Sequence, residues 1–388
     1  MLITLAKLGM ALHLMILALL YLLASPAIRT ARRTWVEKRR LPAPAAHPKL
    51  AMIVPLTGST PGMGKCLASL LDQPGMSCDT YFVVCDADDP AVVLVKDHMQ
   101  DNPLARLVIA GPARTCCQKN HSLLSGIDAA CQGTAGDAPE IFVFCDSTHL
   151  AAPDFLARLI APITDGWTVL ATTHHRIVPG DAGLATICHF FSVLGIQLLQ
   201  SLPMLCQPWG GATAIKRHEF FAHGVDAVWA RGIVDDFTMG PYLQSRGVRA
   251  LAVPEASLLT PLAGQTLSKW LSWWFRQLLY LKFCMPLTWA AATLGVLGLA
   301  GVFGWALLDA TTGGLSGWLY FAGLAAMGVT FGGLSQTPLP AWRRASGFLA
   351  MQALSLSCFL ATWSTNSLNW QGIRYHAGLD GRVRRIDR

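Results

Sequence analysis

Apolar positions along the chain fall into long unbroken runs at the two ends and short alternating runs in the middle. Residues 2–24, "LITLAKLGMALHLMILALLYLLA", are about long enough to cross a bilayer, with Lys7 near one end where its stem can reach the interface. A second apolar zone begins near Cys284 and divides into roughly 284–308, 314–335 and 347–364, the last short for a full crossing. Between about 48 and 255 the pattern changes. Strand-like "LAMIVP" (50–55), "TYFVVCD" (80–86), "ARLVIAG" (105–111), "IFVFCD" (141–146), "WTVLATT" (167–173) and "VRALAVP" (248–254) alternate with helix-like stretches such as "CLASLLDQ" and "AVVLVKDHMQ". That rhythm predicts an α/β domain, a mostly parallel sheet covered by helices.

Composition supports a membrane protein carrying a folded domain: of 388 residues, 53% are hydrophobic and only 14% charged. Arg29, Arg32, Arg33, Lys38, Arg39 and Arg40 follow the first apolar run, opposed only by Glu37. By the positive-inside rule this collar places the next domain in the cytoplasm, against the inner membrane in a bacterium, and it can hold anionic lipid head groups. A cleaved signal peptide would carry its basic residues on the other side. The tail has Arg374, Arg382, Arg384, Arg385 and Arg388, which favour the inside, whereas three spans from the cytoplasm would end outside. The expected divisions are an anchor (1–25), a tether with Pro42, Pro44 and Pro48 (26–48), a catalytic domain (49–265), an interfacial helix (266–283), membrane helices (284–365) and a basic tail (366–388). The net charge of +7 clusters beside apolar spans without a nucleic-acid motif, so no nucleic-acid partner is expected. Eleven cysteines form no paired Cys-x-x-Cys units and read as small core hydrophobes in a reducing compartment. "PGMGK" is no phosphate loop, because Cys66 follows Lys65 where Ser or Thr is required.

Acidic residues stand where chemistry is expected. "VVCDADDP" (83–90) and "VFCDST" (143–148) each deliver an Asp from the carboxyl end of a buried strand, the edge where open α/β sheets bind ligands. Asp86 and Asp146 can therefore share a crevice, with Asp88 and Asp89 as secondary acids; helix or turn capping is the alternative for such residues. "GIVDDFTMGPYLQSRG" (232–247) adds Asp235 and Asp236 at a helix start, where an N-terminal cap is the alternative. Lys119 and Asn120, in "CQKNHSLLSGI", begin another helix that can receive phosphate or a sugar hydroxyl. Three carboxylate stations suit sugar transfer: one for the nucleotide, one for the diphosphate with its cation, and one as general base.

With these residues assembled, the chain resembles the family-two-like inverting glycosyltransferases, closest to the ceramide glucosyltransferase branch. "CDADDPA" (85–91), "FCDST" (144–148) and "VDDF" (234–237) followed by "QSRGVR" (244–249) are similar to its aspartate motifs. "QKN" (118–120), "PWGGATAIKR" (208–217, with Gly210 and Gly211) and "NWQGIRY" (369–375) are similar to further signatures. The resemblance implies a GT-A fold that moves a hexose, glucose foremost, from a UDP-sugar to a hydroxyl of a membrane lipid, ceramide-like. Polyprenyl phosphate, diacylglycerol and hopanoid acceptors stay open, as does a non-catalytic nucleotide- or lipid-binding protein. Carried over by position, Asp86 binds the base, Asp146 the diphosphate and its Mg²⁺ or Mn²⁺, and Asp236 is the general base.

Two departures from the pattern stand out. Position 148 is Thr, where many GT-A enzymes complete an Asp-x-Asp, which leaves the cation fewer carboxylates. In "WLSWWFRQLLYLKFCMP" (270–286) Arg276 falls on the family's arginine, while Trp273 and Gln277 replace its outer motif members. Trp270, Trp273, Trp274 and Tyr280 also read as an interfacial belt. His174 and His175 are expected on a surface loop, with His149 a candidate neighbour of the metal.

Overall fold

The computed structural model describes residues 2–37, 48–100, 102–132, 138–335 and 339–388. Helix α1 (Leu2–Glu37) comes first, then β1 (Leu50–Pro55), α2 (Met63–Leu71), β2 (Cys78–Val84) and α3 (Ala91–Gln100). Next are β3 (Ala105–Ile109), α4 (Gln118–Cys131), β4 (Ile141–Cys145), α5 (Phe155–Thr164), β5 (Leu170–Thr172) and β6 (His175–Pro179). There follow α6 (Leu184–Gln200), β7 (Ala212–Lys216), α7 (Arg217–Ala222), α8 (Val225–Trp229), α9 (Asp236–Gln244), β8 (Leu251–Ala252) and β9 (Leu258–Leu262). Helices α10 (Leu267–Cys284), α11 (Pro286–Thr311), α12 (Leu315–Leu334) and α13 (Ala341–Ala361) lead to β10 (Ser367–Trp370), β11 (Ile373–Ala377) and β12 (Val383–Asp387).

The chain divides into two units. The α/β unit comprises Thr30–His175, Pro203–Thr260 and Ser367–Arg388. Its described residues form a seven-stranded sheet in the order β3-β2-β1-β4-β7-β5-β8, parallel from β3 to β4 and antiparallel where β7 joins β4 and β5. Strand β4 has neighbours on both sides and every residue buried, which is why "IFVFC" is continuously apolar. The pleat sends alternate residues to opposite faces. Met52, Val54, Phe82, Val84 and Val143 pack with Leu67, Leu70, Val95, Phe155 and Leu159 of α2, α3 and α5. Ile53, Tyr81, Val83, Phe142 and Phe144 pack with Leu123, Ile127, Phe220, Trp229 and Leu243 of α4, α7, α8 and α9. Gly126 lets α4 lie close, since a Cβ there would stand 2.5 Å from Ile53 and 2.9 Å from Val83. Strand β7 (ATAIK) was not anticipated; it mixes small, β-branched and charged residues and emerges from the Gly-rich stretch read only as a signature.

The expected basic tail is a three-stranded antiparallel sheet belonging to the α/β unit. "NWQGIRY" is its first hairpin: Trp370 pairs with Ile373, and Gln371 (φ 51°) and Gly372 (φ 79°) form the two-residue left-handed turn that suits strand twist.

The helical unit comprises Met1–Arg29, Arg176–Leu202 and Pro261–Asn366. Among the described residues four helices are long and apolar enough to cross a membrane: Ile3–Arg33, Pro286–Thr311, Leu315–Leu334 and Ala341–Ser364. Helix α1 continues through Pro26 and the arginines to Glu37, so the tether expected from residue 26 begins as helix; Lys38, Arg39, Arg40, Pro42 and Pro44 lie outside the described residues. Leu287, Leu294, Leu315, Trp318 and Trp342 remain exposed, as lipid-facing residues should be. Helix contacts use small residues: a Cβ on Gly317 would overlap the Ala306 carbonyl, and one on Gly328 would stand 2.6 Å from Phe348. Two buried polar side chains of the unit find partners across helices, Trp270 Nε1 donating to Ser192 Oγ (3.1 Å) and Lys282 Nζ to the carbonyls of Thr362 (2.7 Å) and Thr365 (2.9 Å). The expected interfacial helix is α10, carrying a half-buried Arg276, Gln277, and Trp273 stacked 4.2 Å from the His189 ring.

Candidate active site

Because β2, β1 and β4 are adjacent and parallel, their carboxyl ends share one edge, and the chain delivers Asp86 and Asp146 there. Asp86 is exposed and its Oδ1 accepts from the Asp88 amide (3.1 Å), so its other oxygen stays open to solvent or ligand. Asp88 is exposed beside it. Asp89 is occupied locally: its carboxylate accepts from Gly58 N (2.9 and 3.1 Å) and Ala91 N (2.8 Å), fixing two loops.

Lys119, on the first turn of α4, draws the other stations together. Its Nζ lies 2.8 Å from Asp146 Oδ1, 3.1 Å from Asp235 Oδ2 and 3.1 Å from the Gly210 carbonyl. Burial opposes its charge, yet Asp146, Asp235 and Asp236 outweigh that and hold its pKa well above the ordinary lysine value. Asp236 accepts from Gly210 N through Oδ2 (3.1 Å) and from Phe237 N through Oδ1 (2.7 Å). Burial and then the charge of Asp235 push the Asp236 carboxyl up to about 7, against the pull of Lys119. The two adjacent acids thus differ in surroundings: Asp235, 2% exposed, pairs with the lysine, and Asp236 is pushed up to about 7.

Gly210 and Gly211 make this approach feasible. A Cβ on Gly210 would overlap Asp235 Oδ2 and stand 2.7 Å from Lys119 Nζ; one on Gly211 would run into the Trp209 ring. Gly210→Ala is expected to lower stability by about 1–3 kcal/mol and transfer activity about tenfold or more, read by thermal melting and initial rates. Asn120 is fully buried, and its amide nitrogen donates to the carbonyls of Trp229 (3.2 Å) and Gly232 (3.4 Å). It ties down the loop leading to Asp235 rather than opening toward the strand edge.

The family model for Glycosyl transferase family 21 matches residues 13–383. The chain belongs to glycosyl transferase family 21. No curated protein matches it. Among solved structures, the mannosyltransferase PcManGT from Pyrobaculum calidifontis, in complex with GDP-Man and Mn²⁺, is 18% identical with a TM-score of 0.55, covering 94% of this chain and 99% of that one. That likeness supports the GT-A fold. Glucosyl-3-phosphoglycerate synthase from Mycobacterium tuberculosis, in complex with Mn²⁺, UDP-glucose and phosphoglyceric acid, is 16% identical with a TM-score of 0.36, covering 57% of this chain and 74% of that one.

In this family-21 chain the tail sheet holds the site from outside. The Tyr375 hydroxyl accepts from Gln118 N at the start of α4 (3.2 Å), and Arg388 donates to the Ala113 carbonyl (2.5 Å). Ile233 N donates to Gly381 O (2.9 Å) and Val383 N to Arg231 O (2.8 Å), pinning the loop that carries Asp235. His174 and His175, expected on a surface loop, are buried and half-buried respectively, because Leu258 N donates to the His174 carbonyl and draws the segment against β9. His175 stacks on Trp209 (4.8 Å, 5°), and His149 lies 5.1 Å from the same ring. Burial first, then Lys119, lowers the His149 pKa to about 4, with Asp146 opposing. Arg276, Trp273 and Gln277 belong to α10 of the helical unit.

No three His, Cys, Asp or Glu side chains converge as a ready metal cage among the described residues. Asp146 could hold a divalent cation: Lys119 engages Oδ1, and Oδ2 would be the oxygen offered to a hard ion.

Proposed function

We propose that this chain is a membrane-bound inverting transferase that moves a hexose, glucose foremost, from a UDP-sugar to the hydroxyl of a ceramide-like membrane lipid. The observation that carries the reading is the position of Asp236, its carboxylate accepting from the Gly210 and Phe237 amides beside the Lys119–Asp146–Asp235 ion network in a chain with membrane-length helices. Asp86 would accept from the nucleotide base, and Lys119, in place beside Asp146, would add positive charge for the diphosphate. The family resemblance alone, by motif position, assigns Arg276 to the diphosphate. Asp236 would take the proton of the acceptor hydroxyl as that oxygen attacks the sugar, so no covalent sugar–enzyme intermediate is needed. A divalent cation at Asp146 would supply charge neutralisation for the departing UDP. GDP-Man and Mn²⁺ in the archaeal neighbour agree with a nucleotide-sugar donor and a cation.

The test is UDP release by the detergent-purified chain, with Mg²⁺ or Mn²⁺, UDP-glucose and a membrane lipid extract. Lipid-dependent UDP release is expected. Binding of UDP without release from any UDP-hexose would instead favour a nucleotide-binding protein.

We further propose that the catalytic unit faces the cytoplasm, held by Arg29, Arg32 and Arg33 against anionic lipid. Both flanks of α10–α13 belong to the α/β unit, and in the proposed topology the chain would cross an even number of times between residues 260 and 367. At least one of α11, α12 and α13 therefore enters and leaves on one side, and the tail's basic charge agrees with the inside rule. Reporters in the 133–137 segment and after Arg388 should read the same side; opposite sides would refute this topology.

A further inference from the structure

Asp146 divides its carboxylate between two neighbours. Oδ1 meets the Lys119 ammonium at 2.8 Å, while Oδ2 faces His149 Nε2 at 3.9 Å. That second gap is too wide for a hydrogen bond. It lies in the range of about 3–4 Å that two ligands keep when each bonds one cation at about 2.0–2.2 Å.

The far side of His149 is built to hold it so. Leu150 and Leu259 exchange backbone hydrogen bonds (2.7 and 2.9 Å), which sets Thr260 beside His149. Thr260 Oγ1 lies 2.7 Å from His149 Nδ1 and 2.6 Å from His175 Nδ1. A hydroxyl has one proton, so Thr260 can donate to only one of the two rings; when it donates to His175 Nδ1 it accepts from His149 Nδ1, and the neutral His149 ring then keeps a lone pair on Nε2. Trp209, stacked on His175, closes the third side and fixes both ring planes. A metal-binding histidine usually donates its other ring N–H to an outer partner, the part that Thr260 Oγ1 can play here.

We propose that His149 is the second protein ligand of the divalent cation, so that Asp146 and His149 form an Asp-x-x-His seat in place of the second carboxylate lost to Thr148. Thr260 holds the His149 tautomer, and Lys119 keeps Asp146 Oδ1 from competing. This rests on the donor reading above. It is tested by pulsed EPR of Mn²⁺ bound with UDP to the detergent-solubilised full chain.

The wild type should show nitrogen-14 coupling from an imidazole, retained in His175→Ala and absent in both His149→Ala and His149→Gln. Mn²⁺ affinity, titrated with UDP present, should fall roughly tenfold or more in His149→Ala. Glutamine keeps a side-chain oxygen in the seat, so it supplies a decisive variant even where alanine does not fold. Bound Mn²⁺ without nitrogen coupling in the wild type, or coupling that survives in His149→Gln, would overturn the proposal and leave the donor reading standing. A wild type that binds neither UDP nor Mn²⁺ would remove both.

Discussion

Asp236→Asn is expected to slow transfer roughly 100- to 10,000-fold, the usual contribution of a positioned general base, while UDP affinity stays within about threefold. The amide cannot accept a proton but matches the carboxylate in shape. It loses one of two acceptors for Gly210 N and Phe237 N, a cost of about 1 kcal/mol that thermal melting should register separately. The wild-type pH profile supplies the second half of the test. The base works only when ionised, and burial with Asp235 raises its pKa to about 7, so kcat/KM should climb as pH rises through about 7 and then level. A profile already flat across pH 5–7, roughly where an ordinary exposed carboxylate is fully ionised, would contradict the assignment.

Lys119→Met should be the most damaging change to the network. Methionine fills much of the volume and removes the charge that Asp146 and the buried Asp235 share. Breaking a buried ion pair by deleting one partner commonly costs about 3–5 kcal/mol, because the remaining charge is left uncompensated. Lys119 also lowers the Asp236 pKa, so any residual activity should have its acid limb displaced toward higher pH. Melting and the pH profile measure the two effects independently; an unchanged melting point with an unmoved limb would mean that Lys119 does not neutralise these acids.

Much of this arrangement was legible because local pattern and position coincide. The continuous apolar run of β4 reads as a buried strand, and the structure brings its terminal Asp146 to the carboxyl edge of the sheet. The acidic pair at α9 was visible too, but which member is buried against Lys119 depends on contacts between α4, the Gly210 loop and α9, separated by many residues. The outer supports were harder to see. Tyr375 lies far along the chain from Gln118, beyond all the membrane helices, and no periodicity links the two. His149, His175 and Thr260 come together only through the Leu150–Leu259 bridge, and Asn120 resembles a ligand until its amide is seen tying down Trp229 and Gly232. A short strand of mixed residues such as β7, ATAIK, carries too little hydrophobic contrast to announce itself.

The central claim is sugar transfer to a membrane lipid, and mass spectrometry of lipids tests it most directly. The purified chain and its Asp236→Asn variant are each incubated with a panel of UDP-sugars, Mn²⁺ and a total lipid extract. The account predicts a hexose-shifted lipid from the wild type with UDP-glucose, absent from the variant. A hexose-shifted lipid formed equally by both proteins, or by neither with any donor, would contradict it.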